Sequence, residues 1–227
     1  MREYCLEGYR FVASAHYDFY FRPGSLAEKE IVRIMQVQEE SYAKIVRLLR
    51  VEPGFRIRYV LCESAWEVGR VYGDNEPCNG FADFPDTVFA VYTEEVKCIG
   101  PHEDTHLIAE LIAHPESNFI REGLAMYMDE VWWGKPNVEW VSKFVRTDQM
   151  VSISSLFDRN AFFSQPEEIT YPLAGAFTLW LIETLGMKTY LQRIYVSGHQ
   201  SIQDIEKVFG ASIVEAERSF LAWIAEK

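Results

Sequence analysis

The spacing of hydrophobic positions changes several times along this chain, and each change marks an element. From Tyr9 to Phe21 the run YRFVASAHYDFYF is aromatic and β-branched with partial alternation, which predicts one or two strands before Arg22-Pro23-Gly24 breaks it. Ser25-Leu26-Ala27-Glu28 has the form of a capping box, with a hydroxyl at the cap and a glutamate three residues on. Beyond it Ile31, Ile34, Met35, Tyr42, Ile45, Leu48 and Leu49 recur at helical spacing, so a helix of roughly 25 residues is expected until Pro53-Gly54 stops it. Phe55, Ile57, Tyr59 and Leu61 alternate with Arg56 and Arg58, the pattern of a strand that buries one face and turns a mostly cationic face outward. Residues 62–86 carry Gly69, Gly73, Pro77, Gly80 and Pro85 and read as an irregular loop, after which a short strand runs from Thr87 to Tyr92.

From Pro101 onward the period is helical and strand signals are few. A helix from Tyr171 to Leu185 ends at Gly186, and Ser201-Ile202-Gln203-Asp204 and Ser212-Ile213-Val214-Glu215 look like the caps of two closing helices. The fold class expected is therefore α+β, an N-terminal mixed β-sheet with a long helix followed by a mostly helical lobe. Residues 1–116 would form the strand-rich lobe and 117–227 the helical one, together one domain with a cleft between them.

Composition narrows the partners. The chain has 227 residues, 48% of them hydrophobic, enough for a substantial core. A net charge of −12 with no basic stripe argues against nucleic acid, whose binders neutralise phosphates with clustered Lys and Arg. Cys5, Cys62, Cys78 and Cys98 include no C-x-x-C pair and read most simply as reduced thiols, with a pairing among the last three left open. The first residues contain no apolar signal core, and the longest apolar run, Ala174 to Ile182, is too short to span a bilayer. A cytoplasmic location is expected, although a secreted chain without its leader would read the same.

The stretch PHEDTHLIAE, Pro101 to Glu110, carries the chemistry. On a helix His102 and His106, four apart, point their imidazoles at one place, while Glu103 is turned about 100° from His102 and need not ligate. With five histidines in the chain, such a pattern arises by accident in roughly one similar chain in a hundred. A catalytic zinc site wants three protein ligands and an open position. The extension that would supply a third histidine fails, because Ala109 and Ile112 stand at its glycine and histidine positions. His114 would lie about 12 Å along the axis from His106, too far to join. The helix is expected to end near His114-Pro115, and Asn118 to cap a second helix beginning FIREGLAMYMDE. In such a hairpin His106 lies about 10 Å before one helix's end and Glu122 about 6 Å into the next, so Glu122 is the expected third ligand.

HEDTH followed, after fifteen intervening residues, by Glu122 in REGLAMY resembles the gluzincin pattern of the thermolysin and aminopeptidase superfamily. The segment YPLAGAFTLWLIETLGMKTYLQRIY is similar to that group's tyrosine-bearing helix, and the resemblance covers residues 87–196. It implies a small peptidase-MA-like domain, with Zn2+ held by His102, His106 and Glu122, Glu103 as general base, and Tyr171 donating a hydrogen bond to the oxyanion. It further implies that Thr87 to Tyr92 is the edge strand along which an extended peptide or protein substrate lies. The activity expected is zinc-dependent hydrolysis of peptide bonds. The alternative is a metallopeptidase-like binding or regulatory domain without turnover.

Overall fold

The computed structural model describes residues 4–196 and 201–227. The fold class is α+β, a five-stranded mixed sheet with a long helix in the N-terminal part and mostly helix thereafter. The chain divides into two compact units, Met1–Leu111 and Ile112–Lys227.

In the first unit the aromatic N-terminal run forms two strands, β1 (Arg10–Ala13) and β2 (Tyr17–Phe21). The helix α1 (Leu26–Leu49) follows, its start fixed by Ser25 Oγ accepting the Glu28 N–H at 3.2 Å. Glu28 completes the cap one residue earlier than expected, accepting the Gly24 N–H at 2.6 Å. The helix also stops ahead of Pro53: Arg50 takes a left-handed conformation, φ 56°, and its N–H returns to Val46 O at 2.8 Å. Next come β3 (Ile57–Cys62), α2 (Ala65–Tyr72), β4 (Gly80–Asp83) and β5 (Thr87–Val91). The sheet order is β1-β2-β3-β5-β4, with β2, β3 and β5 parallel and an antiparallel strand at each edge.

Three expectations need correction here. The strand β3 buries more than one face, because helices cover both sides of the sheet there. Tyr59 packs on Tyr17 and Phe19, and Tyr17 on Tyr42 of α1, while Val60, Cys62, Phe89 and Val91 form a separate cluster with Val68 and Val71 of α2. Residues 62–86 are no loop: Ser64 Oγ accepts the Glu67 N–H and Gly73 closes α2 at φ 98°. Lastly β5 is interior, and β4 is the edge strand beside it. All four cysteines are free.

The second unit is built from α4 (Asn118–Asp129), a small hairpin β6 (Val131–Trp132) and β7 (Lys135–Pro136), α5 (Asn137–Arg146), α6 (Ile153–Leu156), α7 (Arg159–Ser164), α8 (Glu167–Leu185), α9 (Met187–Arg193), α10 (Ser201–Phe209) and α11 (Ile213–Ala225). Helix α8 is apolar on nearly every side, and Leu173, Ala174, Phe177 and Leu181 are fully buried, as a helix surrounded by others must be. It begins four residues before Tyr171, so Pro172 lies inside it. The lost N–H falls near the helix start, where its carbonyl partner would belong to Glu168. The Ser212–Glu215 capping box is complete. Ser201 is instead the first helical residue, and any cap before it lies outside the described residues. Among the described residues no helix is long and apolar enough to cross a membrane.

Candidate metal centre

The helix α3 (Pro101–Ala109) starts with proline at its first position, where a missing N–H breaks no helical bond. Gly100 before it has φ 128° and ψ −165°, a conformation that residues with a Cβ essentially never adopt. Asp104, Thr105, Leu107 and Ile108 are buried, whereas His102, Glu103 and His106 are half-buried on the other side. The two imidazoles lie with centroids 5.1 Å apart and planes at 81°. The helix ends at Ala109, five residues before His114. Its last turn tightens, with the Leu111 N–H reaching back only three residues to Ile108 O at 3.2 Å, and Pro115 restrains no residue before His114. His114 pairs with Arg121, Nε2 to Nη1, at 2.9 Å.

In the second unit Ser117 stands at the N-cap position of α4 without a side-chain cap hydrogen bond, and Asn118 is the first helical residue, its Oδ1 accepting from Arg121 Nη2. Glu122 is buried, with 8% exposure. Gly123 beside it lets α4 and α8 meet at close range: a Cβ there would stand 2.3 Å from Thr178 Oγ1 and 3.0 Å from Ala174 O. Gly123→Ala should therefore lower stability by about 1–3 kcal/mol, the usual cost of overpacking, despite alanine's roughly 1 kcal/mol advantage inside a helix. Urea unfolding of wild type and variant measures it, and an unchanged or raised midpoint would show that the helices can part at no cost.

His102, His106 and Glu122 form a group able to hold a metal ion, one ligand atom from each, all within 4.8 Å of one another. The donor set, two imidazoles and a carboxylate, suits zinc. Glu103 points toward the edge of the sheet: a Cβ at Gly80 of β4 would lie 3.7 Å from Glu103 Oε1 and 3.4 Å from Cys98 Cβ. Burial first, then the charge of Glu103, push the Cys98 thiol up to about 11, so it is a neutral neighbour rather than a thiolate.

Tyr171 sits half-buried in the second turn of α8. Its ring stacks on Trp132 at 5.1 Å and tilts against Phe162 at 5.9 Å. Sequence reasoning did not single out Gly80, Cys98 or Trp132. Gly80 comes close to Glu103 through the pairing of β4 with β5, which no local spacing reveals, whereas Cys98 stands only five residues before Glu103 and the Trp132-Trp133-Gly134 turn was a visible hairpin signal.

A scan of the chain against known protein families found no match, and no curated protein matched it.

Proposed function

We propose that this chain is a zinc-dependent hydrolase of peptide bonds. The observation that carries the reading is the gathering of His102, His106 and Glu122 within 4.8 Å, from two helices separated in sequence, with a further carboxylate, Glu103, next to the first histidine. When bound, zinc supplies Lewis acidity toward a carbonyl oxygen and lowers the pKa of water. Glu103 accepts the proton of the attacking water and returns it to the departing amine, a role open to a half-buried carboxylate that is not itself a ligand. Tyr171, its ring held by Trp132 and Phe162, offers a hydroxyl to the oxyanion. The substrate is a peptide or protein segment.

Digestion of a diverse peptide library by zinc-loaded protein tests the reading, with Glu103→Gln as the control. Cleavage by wild type alone supports it, and a library left intact by both sinks it in favour of a binding domain. Tyr171 is tested separately. A donor aimed at charge that exists only in the transition state should, in Tyr171→Phe, cost about 10²-fold in kcat with little change in KM or zinc content. A kcat within about threefold of wild type would return Tyr171 to packing alone.

A further inference from the structure

We propose that Gln38, midway along α1, is a positioning residue for the metal-binding helix α3. This rests on the zinc reading above. Gln38 is fully buried, at 0% exposure, in a stripe with Ile34, Tyr42, Ile45 and Leu49. A polar side chain there must find partners, and it finds them on α3. Its Oε1 accepts the Gly100 N–H at 2.7 Å, while Nε2 donates to Gly100 O at 3.2 Å and to Asp104 Oδ2 at 2.9 Å. Both amide donors and the acceptor are thus engaged on one short segment. Tyr17 adds to the cluster, its hydroxyl 2.5 Å from Asp104 Oδ2 and 2.9 Å from Gln38 O, so that its one proton serves either.

The placement matters because Gly100 provides no side-chain cap for α3. The amide of Gln38 holds the Gly100 backbone where a cap would otherwise fix it. Asp104 stands two residues after His102 and two before His106, about 200° round the helix from each, so it occupies the opposite face. Anchoring it to α1 fixes the rotation of α3 about its axis. Imidazole nitrogens lie some 6–7 Å from that axis, so a rotation of about 10° would move them by about 1 Å. A metal site tolerates about 0.5 Å. The contacts on the buried face therefore decide where the two histidines point, although Gln38 touches neither metal nor substrate.

The test is Gln38→Met, which keeps the length of the side chain and removes its hydrogen bonds, compared with Val60→Ala, a truncation in the β3–α2 cluster away from α3. Zinc affinity is measured by chelator competition, and the cobalt(II)-substituted proteins are compared by visible absorption. Gln38→Met should bind zinc about 10–100-fold more weakly and change the cobalt d–d bands, while Val60→Ala keeps both within about threefold. Should Gln38→Met fail to fold, Tyr17→Phe removes one hydroxyl from the same cluster and should shift both readouts in the same direction by a smaller factor. If the folded variant of this pair keeps wild-type affinity and the cobalt spectrum, or Val60→Ala loses as much, Gln38 has no positioning role. Wild-type protein that binds neither metal would instead overturn the zinc reading, and this role with it.

Discussion

Glu103→Gln is expected to keep its zinc and lose turnover by about 10³-fold, within the 10²–10⁴ range that a positioned general base contributes. Glutamine preserves the size of the side chain and can still hold a water by hydrogen bonding, but it cannot take up a proton. Its position explains why metal should remain: Glu103 follows His102 by one residue and faces Gly80 and Cys98 at the sheet edge, whereas the group able to hold a metal consists of His102, His106 and Glu122. Steady-state kinetics on a cleaved library peptide, together with metal analysis of the same sample, give both quantities. Loss of zinc would make Glu103 a ligand, and near-normal turnover would leave the base unassigned.

The second large effect concerns the ligands. His102→Ala, His106→Ala and Glu122→Ala should each weaken zinc binding by about 100- to 1000-fold. Structural zinc sites gain about 10–16 kcal/mol from four ligands, or about 2.5–4 per ligand, and each 1.4 kcal/mol is tenfold. The loss should also appear in thermal unfolding, since an ion that binds only the folded state raises stability by RT ln(1 + [L]/Kd). Zinc should raise the Tm of wild type and Glu103→Gln, and leave that of the three ligand variants nearly unchanged at the same zinc concentration. An undiminished rise in Glu122→Ala would remove that residue from the site.

Much of this was legible in the sequence where the chemistry is local. The Ser25 cap, the 24-residue helix α1 and the two histidines one turn apart all follow from spacings of four residues or fewer. Gly123 packs α4 against α8, a partner that no local spacing names. What was not legible depends on pairing at long range. The resemblance placed the edge of the sheet at Thr87 to Tyr92, and nothing in the residues could correct it, because an apolar strand looks the same whether one neighbour or two flank it. Helix α2 was missed although Ser64, Glu67 and Gly73 bracket it, since five breakers within 62–86 outweighed a short pattern. Gln38 left a trace as well: a polar residue four positions after Ile34 and four before Tyr42 interrupts an apolar stripe, which signals a partner without naming Gly100 or Asp104.

The central claim is a single zinc held by His102, His106 and Glu122, and the zinc bound per chain tests it most directly. Chelator-stripped wild type, Glu103→Gln and a His102→Ala/His106→Ala double variant are dialysed to equilibrium against micromolar zinc and analysed for metal. About one tightly bound zinc per chain is expected for the first two and none for the third, as three protein ligands and one open position require. Equal zinc in all three proteins, or none in wild type, would contradict the account.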